Sequence, residues 1–436
     1  MLIQPVNTKS EEGEKSLQAL LSRFQPADNS CRDLVADIIA QVKDRGDAAV
    51  VEYTRKFDSP DLVQEDLQVS AAELKEAYSL VDDDFLATLE KAIERVQSFH
   101  EREMEDSWMQ TRDNGTIVGR MVRPVDAAGL YVPGGQGGST PLVSSVLMNG
   151  IPAGIAGVQE RVMLSPPNKE GKISPHLLVA AQEIGIVDIF KAGSAWGIAA
   201  LAHGTQSIPA VDVIVGPGNQ FVTEAKSQVS SMLRIDMIAG PSEVLIVADN
   251  SARPNHVAAD MLAQAEHDPM ALAVLVTTEK ELAAEVVAEL DRQLENLSRA
   301  DIARKSLEDR GVILISDDLD EAIEIANDIA IEHLELMVED PWGVLPQIRH
   351  AGAIFLGHHT PEAAGDYLAG PNHVLPTMGT ARFSSALGVE TFLKKSSIIS
   401  YSERALKEDG DHIRLLAGLE GLSAHANSVT ERLKDR

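Results

Sequence analysis

The chain of 436 residues has a single cysteine, Cys31. One thiol excludes intrachain disulfides and thiolate metal clusters, and it fits a reducing cytoplasm, the expected compartment. Positive charge is also scarce: 38 Lys and Arg stand against 67 Asp and Glu, a formal net charge of −29. This argues against nucleic acid and anionic membrane as partners, because both would be repelled, whereas a small cationic substrate would be attracted; an acidic surface that serves solubility alone would look the same. Long apolar runs are missing too. The longest, Val143 to Val158, is interrupted by Asn149, Gly150 and Pro152 and is too short and broken to span a bilayer. The opening MLIQPVNTKSEEGEKS lacks the basic stretch and apolar core of a signal peptide.

What is present is an ordinary globular composition, 44% apolar and 24% charged, long enough for two or more domains. The N-terminal part reads as a polar tail ending in a short helix, Leu17–Phe24, followed by helical spacing over Cys31–Phe57 and Ala71–Met104 with a break at Gly46. Thr116–Arg123 and Ala127–Val132 read as strands. Beyond them strand-like runs (162–164, 189–191, 211–215) alternate with helical ones (175–184, 195–203, 220–229), the pattern of a parallel α/β layer. A second alternating block follows, with strands at 244–248, 273–277, 312–315 and 353–356 and helices at 257–266, 279–297, 319–330 and 342–350. Two α/β domains are the economical reading, and Leu387–Arg436 reads as a mostly helical tail.

Several short segments carry chemistry. Ala364–Ser385, AGDYLAGPNHVLPTMGTARFSS, brings Asp366, Tyr367 and His373 into a stretch that Gly365, Gly370, Pro371, Pro376 and Gly379 keep from forming a long helix or strand. Gln264 and His267 are spaced i, i+3, so one helix face could offer both to a metal ion; a helix cap or a core histidine would look the same. Glu332 and His333 are adjacent and are the usual proton-transfer types, although a surface Glu beside a half-buried His gives the same pattern. Glu420 and His425 alone read as helix surface, and His358–His359 as a loop. Gly134–Gly138 and Gly216-Pro217-Gly218-Asn219 each follow a strand and precede a helix, the setting in which backbone amides hold phosphate; neither matches G-x-G-x-x-G, and tight turns are the alternative. Trp196 opens a helix, to cover a ring ligand or to pack in the core.

Taken together, GLYVPGG at 129–135, SSVLMNGIPA at 144–153, VDVIVGPGNQFVTEAK at 211–226, IDMIAGPSEVLIVAD at 235–249, DMLAQAEHDP at 260–269, IEHLEL at 331–336, GDYLAGPNHVLPTMGTARFSS at 365–385 and EGLSAHANSV at 420–429 resemble the histidinol dehydrogenase family over nearly the whole chain. The resemblance implies an α/β fold of two incomplete Rossmann-like domains with helical N- and C-terminal arms, in an intertwined homodimer. The implied parts are an N-terminal arm (1–25), a first domain (26–130 with 243–387) for metal and catalytic residues, a second domain (131–242) on the cofactor side, and a C-terminal arm (388–436). It implies zinc on Gln264, His267, Asp366 and His425, and Glu332 and His333 as the proton-transfer pair. Substrate contacts fall on Ser242, Tyr367, His373 and Glu420 together with Gln264, His267, His333, Asp366 and His425. NAD contacts fall on Tyr131, Trp196 and Asn219. Trp196 departs from the family, which has Gln there, and the loop 136–140 is longer than in many members. Glu420 and His425 would complete the site of the other subunit.

The expected reaction is the NAD-dependent four-electron oxidation of L-histidinol to L-histidine through the aldehyde, the last steps of histidine biosynthesis. His333 would take the hydroxyl proton and Glu332 would activate water. Cys31, remote in sequence from every motif, reads as structural. One alternative is a relative that oxidises another polar alcohol, sulfonated or polyhydroxy; another is a zinc-binding protein without activity.

Overall fold

The computed structural model of the chain describes residues 2–23, 31–134 and 140–434. Most of the loop 136–140 and part of the Gly134–Gly138 cluster lie outside them. Two compact units are present: Met1–Glu103 with Asp126–Phe392, and Met104–Val125 with Leu393–Arg436.

The first unit holds two parallel sheets. One runs in the order Val6–Asn7, Val312–Ile315, Leu272–Thr277, Glu243–Ala248, His333–Met337, Ala353–Leu356. Its central strands EVLIVA and LAVLVT are buried along their whole length, which explains their almost unbroken apolar character. Alternate residues feed two cores. Val244, Ile246 and Ala248 pack with the helices Pro254–Ala265 and Lys280–Leu294, while Leu245 and Val247 pack with the helix Leu319–Ile329 on the other face. The second sheet runs Asp188–Lys191, Glu160–Ser165, Ala127–Tyr131, Val213–Val215, Arg234–Ile235. Setting aside Val6–Asn7, both sheets have the order 3-2-1-4-5 counted within themselves, that of a Rossmann sheet short of its sixth strand. This is the fold class expected.

The sequence pattern missed several elements for identifiable reasons. Val143–Ala156 is a helix despite Pro152, because a largely buried apolar segment has no polar face to reveal its period. Trp342–His350 is not one helix. Pro341–Val344 makes a single turn, and the chain tightens into a short 3-10 turn over Leu345–Gln347, where Pro346 has no backbone N–H to continue a helical ladder. The helix Ala300–Arg310 carries only Ala303, Ser306 and Leu307 in its buried face, too few to show a stripe. In the second unit, Leu393–Ser400 is a strand rather than the start of a helical tail. It pairs antiparallel with Ile117–Pro124, which also pairs with Trp108–Thr111. Two helices then follow, Glu403–Leu419 and Ser423–Lys434.

Candidate active site

The chemistry of the six-stranded sheet gathers at the amino ends of its strands. Glu243 and His333 are the first residues of adjacent strands, in register one residue apart (His333 pairs with Val244). The helix Pro254–Ala265 returns antiparallel to the strand before it. Its carboxyl end therefore delivers Gln264, and His267 just beyond, to the same edge. The helix Glu362–Tyr367 brings Glu362, Asp366 and Tyr367. Asp366 and Tyr367 thus sit on a short helix, and only the stretch after them is irregular.

Glu332 and His333 are both buried, at 5% and 4% exposure. The amide of Glu243 donates to Glu332 Oε2 at 2.7 Å, and His333 Nδ1 lies 3.1 Å from the Glu243 carbonyl oxygen. A carbonyl only accepts, so Nδ1 carries the proton and Nε2 keeps the lone pair. That Nε2 is buried with no hydrogen-bond partner. Burial lowers the imidazole from 6.5 to about 3, with His267 and His373 acting in the same direction, so the ring is a neutral base at neutral pH. Burial pushes Glu332 well above the ordinary carboxylate range, and the charges of Glu243 and Asp366 add to this.

Beside the pair lies a cluster of metal-ligand types. Single ligand atoms of His267, Glu362 and Asp366 all fall within 4.8 Å of one another. His267 is exposed, Glu362 buried and Asp366 half-buried, so the cluster opens on one side. Burial raises Asp366 to about 6. The fully buried Gln264 amide lies with one end 3.1 and 3.3 Å from the two Glu362 carboxylate oxygens and 3.3 Å from His333 Nδ1. An imidazole and two carboxylates at this spacing suit a divalent ion such as zinc.

The loop after Leu368 is anchored from within. Asn372 Nδ2 donates to the Met148 carbonyl at 2.7 Å, and Val374 N–H donates to Asn372 Oδ1 at 2.9 Å. His373 is held between these anchors with Nε2 buried and unpartnered, and burial lowers it to about 4. Thr377 Oγ1 accepts from Gly240 N–H at 2.7 Å, tying the loop to the segment that carries half-buried Ser242. Tyr367 is 59% exposed.

In the five-stranded sheet the order reverses between Ala127–Tyr131 and Val213–Val215, and a crevice at their carboxyl ends is where such sheets bind ligands. Gly216 lies there with φ 116°; a Cβ on it would sit 2.0 Å from the Tyr131 carbonyl oxygen. Asn219 caps the next helix, accepting from the amides of Phe221 and Val222 at 3.1 and 3.2 Å. Tyr131 is buried, and its hydroxyl accepts from Ser194 N–H at 3.0 Å. Of the two readings of Trp196, core packing is the one observed. Its ring stacks with Tyr53 and Phe57, at 5.8 and 5.5 Å between centroids, and its indole N–H donates to Thr54 Oγ1 at 3.0 Å. Cys31 belongs to the same core.

The structure therefore brings together Ser242, Gln264, His267, Glu332, His333, Asp366 and His373 around one strand edge. Glu420 and His425 belong to the second unit: Glu420 ends the helix Glu403–Leu419, His425 lies in the next, and both are exposed. Sequence reasoning missed Glu362, Glu243 and Glu335. A carboxylate inside an otherwise apolar strand was the available signal for Glu335 in HLELM; it is 1% exposed and accepts from Glu362 N–H at 3.1 Å. Glu362 gave no signal.

Two half-Rossmann sheets, one with a glycine-lined switch point and the other with a His–Glu pair beside imidazole and carboxylate ligands, define an α/β enzyme of the oxidoreductase class. A sequence profile of histidinol dehydrogenase matches residues 21–433. The chain belongs to the histidinol dehydrogenase family. It is 71% identical over 434 residues to the histidinol dehydrogenase of Desulfotalea psychrophila, covering 100% of both chains. Identity to that of Nitratidesulfovibrio vulgaris is 55% over 413 residues, 95% of this chain and 94% of the other. The crystal structure of histidinol dehydrogenase from Elizabethkingia anophelis matches with a TM-score of 0.93 at 35% identity, covering 99% of this chain and 98% of that one. Among the described residues no helix is long and apolar enough to cross a membrane.

Proposed function

We propose that this chain oxidises L-histidinol to L-histidine in two steps, with NAD as the hydride acceptor in each. The observation that carries the reading is His333: a buried, neutral imidazole whose Nε2 lone pair has no partner and whose Nδ1 proton is fixed by a backbone carbonyl. In the first step His333 Nε2 takes the hydroxyl proton as hydride leaves the same carbon, giving the aldehyde. Glu332 then takes a proton from water as the hydroxyl adds to the carbonyl, whose oxygen receives the proton held by His333, so that the hydrate forms and His333 is free again. Burial raises its proton affinity above that of an ordinary carboxylate, which makes the ionised group a stronger base. Loss of a second hydride from the hydrate, with a hydroxyl proton passing to His333, gives the carboxylic acid, which ionises to the carboxylate.

Gln264, His267 and Asp366 would hold a zinc ion, with His425 of the partner subunit as a further ligand. Bound zinc would orient the substrate's amine and imidazole rather than carry the hydride. Glu362, as acceptor for the Gln264 amide, would fix which face of that amide is offered. Ser242, Tyr367 and His373 line the substrate side, and Glu420 of the partner subunit would hold the amine. The six-stranded half carries the metal and acid–base groups. The switch point of the five-stranded half, with Tyr131 and Asn219 at its rim and Trp196 supporting it from the core, takes the cofactor. A homodimer in a reducing cytoplasm completes the reading.

Purified protein supplied with L-histidinol and NAD should release two NADH per substrate and lose activity to a chelator. Metal analysis should find about one zinc per chain. Absence of NADH release with L-histidinol, from folded and zinc-loaded protein, would overturn the assignment.

A further inference from the structure

Arg23 lies two residues beyond the helix Glu11–Leu21, far in sequence from every group described above. Yet it reaches into the strand edge on which those groups sit. Its side chain is 7% exposed and pairs with Glu243, whose side chain is 2% exposed. The pairing is a two-pronged fork: Nε donates to Oε1 at 2.7 Å and Nη2 to Oε2 at 2.9 Å. Two further N–H groups are used as well. Nη1 donates to the Leu20 carbonyl and Nη2 to the Ile329 carbonyl, both at 2.9 Å. Arg23 thereby joins the end of the helix Glu11–Leu21, the end of the helix Leu319–Ile329 and the first residue of a central strand.

Glu243 is the residue on which the acid–base pair hangs. Its amide holds Glu332 and its carbonyl holds His333, while its carboxylate Oε2 also accepts from Met378 N–H at 3.0 Å. Met378 has φ 55°, a conformation a non-glycine residue keeps only under constraint, and it lies five residues beyond His373. One carboxylate thus ties the strand edge to the loop that bears His373. A planar guanidinium matches a carboxylate at two points and fixes its orientation, which a lysine ammonium does not.

We propose that Arg23 is a positioning residue for the reaction: by gripping Glu243 it sets the backbone amide and carbonyl that aim Glu332 and His333. The inference rests on the proposed function for its kinetic readout, since it presumes that Glu332 and His333 do the proton transfers. It assigns a role to the N-terminal arm, which touches neither substrate nor cofactor in this scheme. A misplaced acid–base pair slows the chemical steps more than it weakens substrate binding, because the metal-ligand residues and Ser242 are not held by Arg23, and the His373 loop keeps its own anchors at Asn372 and Thr377.

The test compares wild-type protein with Arg23→Lys, Arg23→Met and the double variant Arg23→Met/Glu243→Gln, all as full chains loaded with zinc. Kinetics with L-histidinol are measured beside thermal unfolding. Arg23→Met should lower kcat by about 10²-fold with KM changed by less than about threefold, the size of loss that follows from a misplacement near 1 Å. Arg23→Lys, which keeps the charge and loses the fork, should unfold near the wild-type temperature and still lose kcat at least about tenfold. The double variant, free of the unpaired buried charge, should regain thermal stability without regaining kcat. Wild-type kcat in folded Arg23→Lys overturns the proposal, as does recovery of both stability and kcat in the double variant, which would make the pair structural only. Should Arg23→Met not fold, Arg23→Lys decides the matter. Nitrogen NMR of the His333 ring gives a readout independent of substrate. The wild-type ring should carry its proton on Nδ1, and Arg23→Lys should shift or broaden that signal; an unchanged signal overturns the proposal. Wild-type protein without activity on L-histidinol would defeat the functional reading, and the NMR comparison would still judge Arg23.

Discussion

At the scale of single residues, the site works by burying groups that water would otherwise level. His333 is useful because a carbonyl fixes its tautomer and its other nitrogen is left without a partner. Glu332, one residue earlier, is aimed by the amide of the same Glu243 and has the opposite shift, toward holding its proton. In the proposed reaction these distinct environments suit distinct tasks, and a substitution can separate them. Glu332→Gln should slow oxidation of the aldehyde by roughly 10²- to 10⁴-fold and oxidation of the alcohol much less, measured by supplying each substrate separately; equal losses in both would remove its water-activating role. Asp58, whose charge acts on the Tyr131 phenol, presents the same physics. Its Oδ2 is buried and unpartnered, and burial raises it from 3.8 to about 6. The folded state binds this proton more tightly than the unfolded chain does. Stability from this group is therefore greatest below pH 4, falls as pH rises toward 6, and carries the full penalty above that. With screening by the side chain's partial exposure, the penalty is about 1–2 kcal/mol. Asp58→Asn should raise the unfolding temperature at pH 8 and leave it unchanged at pH 4; the same shift at both values would contradict the burial argument.

At the scale of elements, function depends on where strands and helices end. Gly216 shows this at the five-stranded switch point. Its amide donates to Asp236 Oδ2 at 2.8 Å and its carbonyl accepts from Lys226 Nζ at 3.0 Å, with Lys226 and Asp236 paired behind it. Gly216→Ala would force a Cβ onto the Tyr131 carbonyl at a φ that suits only glycine. It should cost about 1–3 kcal/mol beyond Gly421→Ala, where φ is 72° and nothing lies within 4 Å. Denaturant midpoints of the two variants check the difference, and NADH titration should show weakened binding for Gly216→Ala alone. Equal midpoints would mean that the close approach is not what the glycine serves. The same boundaries explain what was legible in the sequence. EVLIVA and LAVLVT, buried on both faces, announce themselves as strands. Leu393–Ser400 does not, because Lys394, Lys395, Ser396 and Ser397 are all exposed and its partner strand Ile117–Pro124 lies far away in the sequence. In the site, Gln264, His267, Glu332, His333 and Asp366 stood in local patterns that chemistry could interpret. Arg23, Glu243 and Glu362 did not, since their meaning arises only from the tertiary contacts that bring distant segments to one strand edge.

At the scale of the whole molecule, the second unit is the part whose surface is hardest to account for in a lone chain. Leu415, Leu416 and Leu419 are 61%, 62% and 77% exposed near the end of the helix Glu403–Leu419, and Leu422 in the turn that follows is 42% exposed. Four leucines in eight residues make an apolar patch of the kind that marks an interaction surface. Glu420 lies within this run and His425 three residues beyond it. In the homodimer we propose, the partner covers the patch, and the same contact delivers Glu420 and His425 to the partner's site. Burial of the leucines would then be coupled to completion of the metal shell. The coupling is testable with two inactive variants. Asp366→Ala removes a proposed ligand of the first unit, and His425→Ala a proposed ligand of the arm. Each homodimer should fold, bind zinc poorly and lack activity. If the arm acts across the interface, unfolding and refolding an equal mixture should produce heterodimers with one intact site, holding both Asp366 of one subunit and His425 of the other. Random assortment makes half of all dimers mixed, each with one working site of two, so about a quarter of wild-type activity should return, together with a matching share of bound zinc. A mixture that stays inactive and zinc-poor while heterodimers are shown to form would place His425 in its own subunit's site and leave the leucine patch without a catalytic role.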